Sequence, residues 1–240
     1  MDKAEEICVL DQRVRLLQAA GGFCTSLDSV MLAAACPVKT GEHVLDLGCG
    51  VGSAGLCVLK RVEGAQLTGV DLQADHIELA RRNAALNDMA ERCSFMCADV
   101  RGYDGGPFDH IICNPPYNEA GAHTRSPSEA KALAMGHAEA SLQDWLDAGC
   151  KLLKHGGTLS IIHKAEMLDK ILQGFKTRFG AVEVIPLWPR IGVPAKRVII
   201  RAVRNSKKPL TLHAGLTLHQ DNGDYTEEAE NVLRGMGAIG

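Results

Sequence analysis

The chain has 240 residues, 46% of them hydrophobic, and a formal net charge of −3, which is enough apolar material for an extensive core and carries no global electrostatic signature of nucleic-acid binding. No apolar run approaches the ~20 residues of a membrane-spanning helix. Asp2, Glu5 and Glu6 behind Met1 do not make a basic-then-apolar leader, so a cytoplasmic location is expected. The nine cysteines show no paired Cys-x-x-Cys spacing, and Cys49, Cys57, Cys113 and Cys150 sit in apolar runs, which reads as reduced core thiols. Cys93 and Cys97 have only His110 as a nearby imidazole, and no metal site is expected.

The first 40 residues read as an N-terminal cap with a helix near Leu27–Ala35. Beyond them, short β-rich runs alternate with helical patterns, as in a parallel sheet with crossover helices. Strands are predicted at His43–Leu47, Gln66–Val70, Cys93–Cys97, Phe108–Cys113, Thr158–His163, Val182–Leu187 and Arg197–Val203. Helices are predicted at Ser53–Arg61, at Ala74–Asn87 with an Asp75-x-x-Glu78 start, at Glu139–Leu153 ending at Gly156-Gly157, and at Ala165–Arg178 ending before Gly180. No helical pattern separates the last two strands, so they should form a hairpin with the final strand antiparallel to the rest. Residues 210–240 add a strand or extended segment and a helix over Thr226–Arg234. The expected architecture is one α/β domain with a doubly wound, seven-stranded, mostly parallel sheet: a cap (1–40), a core (41–204) and a C-terminal extension (205–240).

The first core strand runs into Asp46-Leu47-Gly48-Cys49-Gly50-Val51-Gly52, a glycine turn in which backbone can approach a ligand and helix N–H groups point toward it. Gly50-x-Gly52-x-x-Gly55, with Asp71 at the end of the second strand, also satisfies the dinucleotide fingerprint, so a nicotinamide enzyme is a rival reading. The carboxylate of Asp46 distinguishes the two, because it would repel a pyrophosphate and attract the amino group of S-adenosylmethionine. Asp71 can accept both ribose hydroxyl hydrogens, and Asp99, followed by Val100 at the end of the third strand, can accept from an adenine amine. Residues 42–114 thus resemble the Rossmann-like methyltransferases, whose cofactor motifs match Asp46, Gly48, Gly50, Gly52, Asp71 and Asp99.

The fourth strand ends in Asn114-Pro115-Pro116-Tyr117, across the sheet's switch point from the glycine turn. An adenine amine is a poor nucleophile because its lone pair is delocalised into the ring. The Asn114 side-chain oxygen and the Pro115 carbonyl are acceptors that can pull the nitrogen toward tetrahedral geometry. The two prolines stiffen the turn and remove competing N–H donors. Tyr117 offers a ring on which a base can stack, a role that needs the ring and not the hydroxyl. Methyl transfer needs no covalent intermediate, so Cys113 reads as a core residue; His137 and His163 read as structural or substrate-lining.

Adenine methyltransferases, rRNA guanine-N2 methyltransferases and release-factor glutamine N5-methyltransferases share this motif, and the flanks separate them. Phe23 to Leu32 and His219 to Glu228 resemble the flanks of the bacterial tRNA1(Val) adenine-N6 methyltransferase family. That family usually carries Gly-Thr-Asp where Ser26-Leu27-Asp28 stands, so the resemblance makes Asp28 a cofactor-side residue and tRNA the partner. The glutamine enzymes would carry a separate N-terminal helical domain, and only some 40 residues precede the first core strand. A non-enzymatic cofactor-binding module would leave the acceptor motif without a role. Between Pro186 and Pro209 there are seven Lys or Arg and no acid. Strand alternation predicts that Arg197 and Arg201 point together; with Arg190, Lys196, Lys207 and Lys208 they read either as a solvated basic edge that blocks strand pairing or as a row that follows a phosphate backbone.

Overall fold

The computed structural model describes residues 4–19, 27–117 and 140–240. In chain order the elements are β1 (Ala4–Val9), β2 (Val14–Ala19), α1 (Leu27–Ala35), β3 (His43–Leu47), α2 (Ser53–Arg61), β4 (Gln66–Asp71), α3 (Ala74–Leu86), β5 (Cys93–Cys97) and β6 (Phe108–Cys113). They continue with α4 (Leu142–Leu152), β7 (Leu153–Lys164), α5 (Leu168–Phe175), β8 (Phe179–Trp188), β9 (Arg197–Arg204), β10 (Thr211–Leu212), β11 (Leu216–Thr217) and α6 (Glu227–Leu233). Among the described residues the main sheet has nine strands, in the order β10-β8-β9-β7-β6-β3-β4-β5, with β11 also beside β8. Its strands are parallel except β9, which inserts antiparallel between β7 and β8, as expected of a hairpin with no helix in its connection.

The mostly parallel sheet is covered on both faces, because its strands carry apolar side chains in both directions. One core joins Val44, Ile112, Ile162 and Ile199 to helices α1, α2, α3 and α6. The other joins Leu45, Leu47, Ile111 and Ile161 to α4 and α5. Seven strands fall where the sequence places them, the short β10 and β11 lie in the segment read as a strand or extended, and the β1–β2 hairpin is an addition. The hairpin escaped sequence reading because its turn has no glycine: Leu10, Asp11 and Gln12 all adopt positive φ, at 51°, 56° and 62°. Two asparagines one helical turn apart dock it on α3. Asn83 exchanges hydrogen bonds with the Leu17 backbone at 2.7 and 3.0 Å, and Asn87 does so with Arg15 at 2.9 and 2.7 Å.

Helices α4 and α5 differ from expectation: α5 spans only Leu168–Phe175, behind a 3-10 turn at Ala165–Met167, rather than Ala165–Arg178. Helix α4 starts at Leu142 because Ser141 and Asp144 form a capping box; Glu139 lies outside the described residues. The backbone turns extended at Leu153, where β7 begins, so Gly156 and Gly157 lie within a strand rather than ending the helix. Helix α3 starts at Ala74 as expected, but Gln73 before it makes no side-chain cap, and Asp75 only occupies its first turn. No helix among the described residues is long and apolar enough to cross a membrane.

Candidate active site

The carboxyl ends of β3, β4 and β6 adjoin one another, since Leu47 is in register with Val70 and with Cys113. The Gly48–Gly52 turn and the Asn114–Tyr117 motif therefore leave neighbouring strands side by side. Gly48, Gly50 and Gly52 have φ of 73°, 53° and 85°, which L side chains rarely adopt. Their surroundings differ. A side chain at Gly48 would run into the Trp145 ring, whereas one at Gly50 would meet open space, so the turn is packed below and clear above. At Gly55 an added carbon would lie 2.7 Å from Leu67, which explains that glycine by helix-on-sheet packing.

Asp71 anchors the turn. Its Oδ2 accepts from Gly50 N at 2.8 Å and its Oδ1 from Gln73 N at 2.9 Å, with His76 Nδ1 at 3.3 Å. Lone pairs remain on both oxygens for hydroxyl donors. Asp46 lies beneath the turn rather than on its open side: it is 3% exposed and accepts from Gly55 N at 2.9 Å. Burial, with Asp71 nearby, pushes its carboxyl up to about 7, so a cation above the turn would draw it toward the ionised form. Asp99 is held by the guanidinium of Arg101, whose Nε donates to Oδ1 at 2.9 Å, and Val100 beside it is buried.

On the acceptor side, Asn114 Oδ1 is buried and has no hydrogen-bond partner among the described residues. A buried carbonyl oxygen left unpaired is costly unless a ligand completes it. Cys113 is fully buried, and burial drives its thiol pKa up, as a core residue requires. His137 and Phe23 to Ser26 lie outside the described residues. His163 is buried edge-on to Tyr117, with ring centroids 5.0 Å apart, and burial pushes its pKa down to about 4, so it is neutral.

A family model for the methyltransferase small domain matches residues 13–187. The chain belongs to this family. It is 30% identical over 202 residues to the tRNA1(Val) (adenine(37)-N6)-methyltransferase of Aeromonas hydrophila, a match covering 83% of this chain and 84% of that one. A protein of the same name from Shewanella sp. (strain MR-4) is 28% identical over 214 residues, covering 86% and 89%. Among solved structures, a predicted O-methyltransferase from Agrobacterium tumefaciens superposes with a TM-score of 0.73 at 26% identity, covering 88% of this chain and 98% of that one. The chain is thus an S-adenosylmethionine-dependent methyltransferase with a Rossmann-like sheet, which removes the nicotinamide rival. The open side of Gly50, the anchored Asp71 and the Asn114 oxygen, unpaired among the described residues, fit that cofactor and its acceptor lying on this edge.

The methyltransferase departs from the sequence reading at three places. First, the Tyr117 hydroxyl is engaged, donating to Asp28 Oδ2; burial and this carboxylate push the phenol pKa up, so it stays a donor. Second, Asp28 of α1 also accepts from Arg197 Nε at 3.0 Å, and the Arg197 guanidinium lies 4.6 Å from the Tyr117 ring centroid. Asp28 and Arg197 therefore clamp the acceptor motif.

Third, the basic segment is not a continuous row. Arg201 is turned into the fold, where it pairs with Glu183 at 2.6 Å and donates to the carbonyls of Ala35 and Ile239; its side chain is 11% exposed. Alternation placed Arg197 and Arg201 on one face correctly, but α1 covers that face. Strand β9 then separates Lys207 and Lys208 from Arg190 and Lys196, sending them to opposite edges of the sheet. Arg190 and Lys196 stay exposed at the carboxyl edge. Sequence reasoning missed Lys164, which ends β7 directly across from Arg197; only the strand pairing shows it.

Proposed function

We propose that this methyltransferase modifies the N6 amine of an adenine in RNA, its substrate being tRNA near the anticodon, in the cytoplasm. The observation that carries the reading is the buried Asn114 Oδ1 at the end of β6, which has no partner among the described residues. An exocyclic amine supplies the donor this oxygen needs, and the Pro115 carbonyl can take the second hydrogen. Two acceptors holding both hydrogens localise the nitrogen lone pair, and they act most strongly as positive charge develops on that nitrogen. The relatives named for tRNA adenine-N6 methylation over more than four fifths of the chain support adenine.

Asp46, Gly48, Gly50, Gly52, Asp71, Asp99 and Val100 would hold S-adenosylmethionine, which supplies an electrophilic methyl group when bound. Asp71 acts both directly and by fixing Gly50. Tyr117, held by Asp28 and Arg197, presents its ring beside the acceptor and helps exclude water. Arg190 and Lys196 face solvent at the same edge, where RNA would approach. Labelled-methyl transfer onto tRNA from a strain lacking the enzyme, followed by nucleoside analysis, tests the reading. N6-methyladenosine is the expected product, and label in guanosine or in a release-factor glutamine would overturn it.

A further inference from the structure

A cavity of about 310 Å³ opens at the carboxyl edge of β7 and β9, lined by Lys164, Ala165, Glu166, Ala195, Lys196 and Arg197. The Ala165 N–H donates to the Lys196 carbonyl at 3.2 Å, which joins the two walls. Lys164 and Arg197 are directly opposed across the antiparallel pair, an arrangement of like charges that destabilises a sheet. The described residues relieve it only in part. Glu166 stands 3.5 Å from Lys164 but is itself 72% exposed, and Asp28 engages Arg197 from the inner side. Lys164 and Arg197 each keep about a third of their side chain exposed, at 36% and 32%. Both cations also help to keep His163 uncharged.

We infer that this cavity is a phosphate subsite, in which Lys164, Lys196 and the outer side of Arg197 hold a backbone phosphate of the nucleotide whose base rests against Tyr117. The inference rests on the RNA-methylating reading above and specifies how that site grips its substrate. An anion between the opposed cations turns an unfavourable contact into a favourable one. The location follows from Arg197, which lines the cavity and also lies over the Tyr117 ring, so base and phosphate sites share one residue. A nucleotide drawn out of its stack needs such a fixed phosphate to hold its register.

The test compares the parent with Lys164→Met, Lys196→Met and Glu166→Gln, using unmodified tRNA across a range of salt. Each lysine substitution should lower the log–log salt slope by about 0.7–0.9 per lost contact, and Glu166→Gln, which frees Lys164, should tighten binding. A second arm uses the stem-loop fragment that the parent methylates, with single methylphosphonates on either side of the modified adenine. At one position the neutral linkage should weaken parent binding about tenfold and cost Lys164→Met nothing further. A parent that methylates RNA, with an unchanged slope and additive losses at every position, would overturn the subsite alone. A parent that labels peptide and no RNA would overturn both the subsite and the function proposed above.

Discussion

Asp46 offers a test that depends only on the fold. Its carboxyl is buried beneath the glycine turn, with one oxygen on Gly55 N, and burial raises it from 3.8 to about 7. Because the folded value lies above the unfolded one, the neutral form favours the fold: that contribution is complete below pH 3.8 and is lost as pH rises through about 7. Asp46→Asn keeps a similar shape and an acceptor for Gly55 N–H but cannot ionise. Relative to the parent, it should therefore gain stability between pH 5 and pH 8. The interval covers about two pKa units of the parent's penalty, or about 3 kcal/mol. For a chain of this length that is roughly 5–10 °C in melting temperature. Thermal unfolding of both proteins without cofactor, at pH 5 and pH 8, measures it, and comparing the two differences cancels any constant effect of the substitution on packing. An equal difference in melting temperature at both pH values would refute a buried, proton-binding Asp46.

Other residues give separate readouts. Asn114→Ala should lower turnover on tRNA by about 10²–10³-fold, the usual cost of losing one transition-state hydrogen bond, with cofactor affinity within a few-fold of the parent by calorimetry. Asp71→Ala should weaken cofactor binding at least tenfold, since it removes a charged acceptor and releases Gly50 N; unchanged affinity would contradict that role. Tyr117→Phe should lower kcat about tenfold by removing the charge-assisted bond to Asp28, and Tyr117→Ala more, because the ring contacts with Arg197 and His163 go too. Parent-like kinetics for Tyr117→Phe would show that the clamp does not act through the hydroxyl. Gly48→Ala should cost about 1–3 kcal/mol in chemical denaturation, from strain at φ 73° and collision with Trp145.

The sequence by itself determined the core of this protein: apolar period and glycine placement fixed seven strands and the turn between β3 and α2. A tight strand-to-helix turn beside a ligand admits few residue types, so Gly48, Gly50 and Gly52 announce it. The antiparallel β9 was legible for a similar reason, since a connection with no helical pattern cannot make a parallel crossover. Residues whose work depends on a distant partner were not legible in this way. Asp28 and Arg197 are 169 positions apart, and only the docking of α1 against β9 brings them to Tyr117. Arg201 has the same alternation as Arg197, but it lies four residues deeper under α1, where Glu183 and two carbonyls neutralise it. Lys164 gains its place opposite Arg197 from strand order, which local sequence does not encode. The basic run from Arg190 to Lys208 is continuous in sequence, but β9 carries it from one edge of the sheet to the other. Charge becomes a surface only after the chain has been folded through space, and here folding left the exposed cations Arg190 and Lys196 at the edge that carries the acceptor motif and Lys207 and Lys208 at the other.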